Sequence, residues 1–374
     1  MKKIIHWHNK SQYIAPLSDA CRMCAEGSKL VLLATGLCPT NCFYCPISFE
    51  KGGKDRIFAD EWELESEKDT EKLIQEAENI EATGAGITGG DPLVVWKRVE
   101  KYILLLKDTF GTDFHIHLYT SALKNAEHIP SLIHAGLDEI RFHPQPRYWD
   151  SMDKNPIKNA IQKTLNTEID VAIEIPVLPD MEKQILSLIK WANNMGINWI
   201  NLNELEFSER NHQALENRGY TTKNDISAAV KGSEELAIKI LKNISEMNID
   251  MGIHYCSVSF KDGIQLRNRI LRRAKNTAKK YDVITNDGTL IKGVIYTSDT
   301  SPSALQQLLT TLKKKYNIPD KLIYLDSEKN RIETGAWILE QISQDLRKNG
   351  YKCYMVEEYP TADRLEVEKI PLPL

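Results

Sequence analysis

The chain has 374 residues, 42% of them hydrophobic and 27% charged, with a formal net charge of −4. That composition is ordinary for a soluble globular protein with a large core, one big α/β domain plus something smaller. A charge balance this close to neutral gives the whole molecule no pull toward nucleic acid or membrane, and no apolar run approaches the ~20 residues that span a bilayer.

The first ten residues carry Lys2, Lys3, His6 and His8 and lack a signal-peptide apolar segment, so a cytoplasmic location is expected. Seven cysteines are present, five of them between Cys21 and Cys45. In a reducing compartment such clustering points to metal or redox chemistry before disulfides.

From Leu30 onward, β-rich runs alternate with helical patterns, the mark of βα units around a parallel sheet. Strands are predicted at 30–37, 86–90, 115–121, 139–143, 171–178, 199–207 and 250–260. Helices are predicted between them at 71–82, 95–110, 122–135, 156–165, 181–195 and 234–247. Six or seven units in about 230 residues fall short of a closed eight-fold barrel, typically ~250 residues. The fold class expected is therefore α/β, a partial (β/α)6 TIM-like barrel with a small C-terminal α/β domain. Chemistry in such barrels sits at the C-terminal ends of the strands.

Residues 264–280 read as a basic helix. After it come a hairpin around Asn286-Asp287-Gly288, helices at 302–316 and 332–348, a strand at 322–326, and two strands flanking Pro360-Thr361. The organisation expected is an N-terminal extension (1–28) containing a CxxC, a core barrel (29–280) and a C-terminal domain (281–374).

Cys38-Pro-Thr-Asn-Cys42-Phe-Tyr-Cys45 directly follows the first predicted strand. Three thiolates on one loop suit three corners of an iron–sulfur cubane and leave one iron open, the property of a catalytic metal. The bland alternative is a zinc knot completed by a distant ligand, in a non-catalytic interaction protein. After the second predicted strand comes Thr88-Gly89-Gly90-Asp91-Pro92, whose glycines let backbone approach a ligand closely.

Together, the CxxxCxxC with Tyr44 before its third cysteine and the Gly-Gly-Asp turn resemble the radical S-adenosylmethionine (SAM) superfamily, over about residues 30–260. Thr88–Leu93 and Ile175–Asp180 are similar to segments of the branch that includes pyruvate formate-lyase activating enzyme. Asp91 stands where many members have Glu. The added C-terminal domain and extra cysteines keep glycyl-radical activation from being carried over.

The resemblance implies a [4Fe-4S] cluster on Cys38, Cys42 and Cys45, reductive cleavage of SAM to a 5′-deoxyadenosyl radical, and a low-potential flavodoxin- or ferredoxin-type electron donor. It implies that Thr88, Gly89, Gly90 and Asp91 meet the methionine end of SAM, near Tyr44. Ser121, His143 and Glu174, at or near strand ends, are candidates for ribose, adenine or substrate. With Arg141, His117, Tyr119, Asn201 and Asn203 they make a lumen suited to a polar substrate.

Two further features are singled out. Cys21-Arg-Met-Cys24 with Cys256, and more weakly His254, is a candidate second site for zinc or another iron–sulfur cluster if the N-terminal segment folds over the barrel mouth. Residues 261–280 hold eight basic side chains against Asp262, which admits an RNA substrate; a solvated face paired with the acids of 60–67 is the plainer reading.

Overall fold

The structure is a computed structural model and describes residues 2–372. It divides into two compact units, one made of the chain up to Glu78 with Ala82–Leu266, the other of Asn79–Glu81 with Arg267 onward.

Seven parallel strands build the first unit: β1 (Lys29–Thr35), β2 (Gly84–Gly89), β3 (His115–Thr120), β4 (Glu139–Phe142), β5 (Asp170–Val177), β6 (Trp199–Glu204) and β7 (Gly252–Cys256). They neighbour one another in chain order, as right-handed βαβ crossovers dictate. The partial barrel read from the sequence is present, with the seventh strand extending it. Short antiparallel strands flank both edges: Ile4–His6 and Gln12–Ile14 beside β7, and Ile57–Ala59 with Trp62–Leu64 beside β1. Apolar helix faces cover the outside; Val99, Tyr102, Ile103 and Leu106 of the Trp96–Phe110 helix are all buried.

Three predicted elements differ, each for a local reason. The helix expected over 122–135 begins only at Ile129, because Ala122 and Asn125 adopt φ of 51° and 59° and Pro130 sits in the first turn. The strand expected to reach 260 stops at Cys256, where the Ser257 hydroxyl accepts from the Phe260 N–H and starts a helical turn. The helix expected over 332–348 is a strand, Arg331–Thr334, followed after Gly335 by the helix Ala336–Lys348.

The second unit is an antiparallel sheet in the order Ile323–Asp326, Arg331–Thr334, Leu290–Tyr296, Lys352–Glu358, Glu366–Leu372, with Val283–Ile284 pairing Leu290–Tyr296. Helix Pro302–Tyr316 starts on a Ser301 cap with proline in its first turn and buries Leu308, Leu309 and Leu312. The fully buried Arg331 is matched by Glu333 and Glu358, at 2.7 and 2.8 Å. Several side chains of the basic run have partners within their own unit. Arg272 donates to the carbonyls of Ile80 and Glu81, Arg267 pairs with Asp287, and, in the first unit, Lys261 pairs with Glu206.

Candidate active site

The loop after β1 is tied at its base. Gly36 N–H donates to Lys54 O (2.9 Å) and Gly53 N–H to Gly36 O (2.8 Å). A Cβ on Gly36 would stand 1.7 Å from the Lys51 carbonyl oxygen, so only glycine allows this closure. Below it, Asp55 accepts from Thr35 (2.7 Å) and from both ends of the Arg98 guanidinium (2.7 and 2.9 Å). The segment after β6 clamps the loop from outside. Asn211 donates to Tyr44 O (3.1 Å), and the Arg218 guanidinium lies 3.7 Å over the Phe43 ring.

Cys38 is exposed and Cys42 and Cys45 are half-buried, all three as free thiols. They open on a cavity of about 610 Å³ that continues into the lumen, past Thr88, Gly89, Gly90, Ser121, His143 and Glu174. Three thiols and no fourth cysteine on the loop are the donor set of a cubane with one open iron, so the residues fit that group. Among the described residues no three His, Cys, Asp or Glu side chains converge on a point suited to a single metal ion.

The glycine turn is stitched to the end of β1. Gly90 N–H donates to Thr35 O and Asp91 N–H to Leu37 O, at 2.7 and 2.8 Å. A Cβ at Gly89 or Gly90 would lie 2.2 Å from a backbone oxygen, of Thr35 or Leu37. Asp91 is 1% exposed, and its carboxylate is engaged within the protein. Oδ1 accepts from Leu93 N–H (3.1 Å) and the Thr120 hydroxyl (2.7 Å), and Oδ2 from the Ser121 N–H (3.1 Å) and hydroxyl (2.5 Å). The residue therefore pins the turn to the end of β3.

Tyr44 is buried, and its hydroxyl meets His143 Nε2 at 2.8 Å, while His143 Nδ1 meets the Glu174 carbonyl at 2.7 Å. Alternation along β4, β5 and β6 brings the lumen residues together. Glu174 accepts from Arg141 (2.8 Å), Asn201 (3.1 Å) and Asn203 (2.8 Å), and Arg141 also donates to Glu139 at 2.5 Å. Burial pushes the Glu174 carboxyl up, but Arg141 and the two amides outweigh it and hold the group below its ordinary value.

The N-terminal helix Asp19–Glu26 packs across the lumen, with Ser18 donating to Glu139 at 2.7 Å. It carries Cys21 and Cys24, and Cys24 lines the cavity. Cys21 Sγ lies 3.5 Å from both the Arg141 guanidinium and the Asn201 amide, so a cation already stands beside that thiol. Cys256 packs with Ala25 and Phe260, and His254 sits among Trp7 and Phe260. Burial raises the Cys24 thiol to about 11, the behaviour of a neutral S–H. Sequence reasoning missed Asn211, Arg218 and Lys29; only Lys29, a cation inside the apolar strand KLVLLAT, left a local signal.

Residues 32–201 match the model of the Radical SAM superfamily, and residues 288–372 match a domain of unknown function. Over 365 residues the chain is 40% identical to a Methanocaldococcus jannaschii protein described as "Putative glycyl-radical enzyme activating enzyme", covering 95% of this chain and 93% of that one. Among solved structures, Streptococcus suis SuiB bound to its precursor peptide SuiA is 13% identical with a TM-score of 0.43, covering 63% of this chain and 51% of SuiB. The Kitasatospora setae methyltransferase TsrM, with cobalamin and a [4Fe-4S] cluster bound, is 9% identical with a TM-score of 0.38, covering 66% and 52%. The chain thus spans about half the length of these two solved proteins. Among the described residues no helix is long and apolar enough to cross a membrane.

Proposed function

The chain belongs to the radical SAM superfamily, and from that premise we propose that Cys38, Cys42 and Cys45 hold a [4Fe-4S] cluster, and that the enzyme generates a radical from SAM to take hydrogen from a polar substrate in the lumen. The observation that carries this reading is that the three free thiols and the Gly89-Gly90 turn open on one cavity. When bound, the cluster supplies the electron that splits the sulfonium bond of SAM into methionine and a 5′-deoxyadenosyl radical.

The chain's own part is positioning and shielding. The stitched turn offers backbone at the cavity wall, where Gly89 and Gly90 carbonyls can accept from the ammonium of SAM. Tyr44 and His143 fix each other beside the cysteine loop, and the Arg141–Glu174–Asn201–Asn203 network presents oriented dipoles without reorganising. The deeper the reacting atoms sit among the buried lumen side chains, the less water reaches the radical. A low-potential protein of flavodoxin or ferredoxin type is the electron source we propose.

A second reading rests on the name of the 40% identical relative: the hydrogen donor is a glycyl residue of a partner protein. Deuterium passing from α-deuterated glycine in that partner into 5′-deoxyadenosine would support it. The primary reading is tested by anaerobic reconstitution with iron and sulfide. The wild-type chain should take up both and turn brown, and a Cys38→Ser/Cys42→Ser/Cys45→Ser chain should take up neither. A colourless protein holding zinc contradicts it.

A further inference from the structure

The deep end of the lumen carries polar groups that a SAM site leaves unexplained. His117 is 1% exposed, lines the cavity, and has no hydrogen-bond partner at either ring nitrogen. Buried polar atoms are nearly always bonded, because an orphan costs about 1–3 kcal/mol. On β3 it precedes the last residue, Thr120, by three, so it lies ~10 Å below the end of that strand at ~3.3 Å per residue. Room for it is made on β2, where a Cβ at Gly86 would stand 2.7 Å from the imidazole.

Lys29 reaches the same place. Its ammonium lies 2.8 Å from where a Gly84 Cβ would be, and the residue is 2% exposed. Its partners are His115 Nδ1 (2.7 Å), the His115 carbonyl (2.9 Å) and the sulfur of Met23 (3.7 Å), none of them a carboxylate. Other lumen cations differ. Arg141 is matched by Glu139 and Glu174, and Lys261 by Glu206. Tyr119 stands edge-on to His117 with centroids 4.8 Å apart, and it too lines the cavity, as does the neutral thiol of Cys24.

Nearby, the Arg141 guanidinium lies 5.5 Å over the Tyr119 ring but is matched by Glu139 and Glu174, and Glu139 reaches the far side of the His115 ring at 3.8 Å. The floor therefore combines one cation without an acid in direct contact, Lys29, with N–H and O–H donors from imidazole and phenol. That set complements one carboxylate. A phosphate dianion would bring a second charge with nothing to meet it, at a depth where unpaired charge is costly. The long contact from Lys29 to Met23 is the one a ligand oxygen would replace.

We propose that the substrate carries a carboxylate that docks at the lumen floor against Lys29, His117 and Tyr119. The hydrogen to be removed then lies between that anchor and the strand ends, where the radical is generated. The word substrate here rests on the radical SAM reading; the anion site does not.

The test uses the full, metal-free chain with butanoate and its neutral isostere butanamide, followed by isothermal titration and thermal shift at neutral pH. Butanoate should bind at least about tenfold more tightly than butanamide, which is ~1.4 kcal/mol. Lys29→Met should abolish that preference, and His117→Phe should weaken it. Equal binding of acid and amide to the unaltered chain, or no binding of either, overturns the proposal without any variant having to fold. So does a preference that survives in Lys29→Met, or tighter binding of methylphosphonate as its dianion. Failure here leaves the cluster and its SAM response untouched, and failure of those leaves this titration untouched.

Discussion

Asp91→Asn tests whether the acid of the Gly-Gly-Asp turn is a structural pin or a ligand to SAM. Each carboxylate oxygen accepts one backbone N–H and one hydroxyl, from Leu93 and Thr120 on one side and Ser121 on the other. An asparagine offers one acceptor and one donor. A hydroxyl can turn to accept, but a backbone N–H cannot, so either orientation leaves one buried N–H facing an amide N–H. That orphan costs about 1–3 kcal/mol, and the remaining bonds lose their charge assistance. Burial alone pushes the Asp91 carboxyl above its ordinary value, so removing the charge returns part of the cost. The net expectation at pH 7 is a loss of about 2 kcal/mol, read as a lower urea midpoint at unchanged m-value, with weaker SAM binding following the loosened turn. Wild-type stability with SAM affinity lost would refute the pin and make Asp91 a direct ligand.

Three further outcomes follow from the same geometry. Lys29 is depressed by burial to about 8 from 10.5, so the unfolded chain holds this proton to higher pH. Stability should therefore rise between pH 8 and 10.5, by up to about 3 kcal/mol more than in Lys29→Met, and equal pH slopes would contradict it. Gly90→Ala forces a methyl to within 2.2 Å of the Leu37 carbonyl oxygen, backbone that carries the cysteine loop. It should cost at least about 2 kcal/mol and abolish measurable SAM binding; a stable, SAM-binding variant would contradict the close approach. Glu174→Ala removes one of two carboxylates from the 3% exposed Arg141 and should destabilise by about 3 kcal/mol in thermal unfolding, with Glu174→Gln less affected.

What was legible in the sequence was what local pattern encodes. The cysteine loop and the glycine turn each follow a strand directly, so their place at the strand ends needed only the period of the flanking residues. Strand alternation likewise put Arg141, Glu174, Asn201 and Asn203 in the lumen. What was not legible depended on packing between distant segments. The spacing of Cys21 and Cys24 is local, but where their helix docks is set by Ser18, Glu139 and Arg141, and that is what brings a guanidinium to Cys21. Arg331–Thr334 fell inside an apparent helical run, although Gly335 marks the break. Lys29 looked like the edge of an apolar strand; only the glycines opposite, at 84 and 86, reveal that the lumen was left open for it and His117.

The most direct test of the central claim is the EPR spectrum of the anaerobically reconstituted, reduced chain with and without SAM. A reduced-cluster signal whose g-values shift on adding SAM, and which is lost in Cys38→Ser, Cys42→Ser or Cys45→Ser, is the result expected. A signal unmoved by SAM, or no reducible cluster at all, would contradict it.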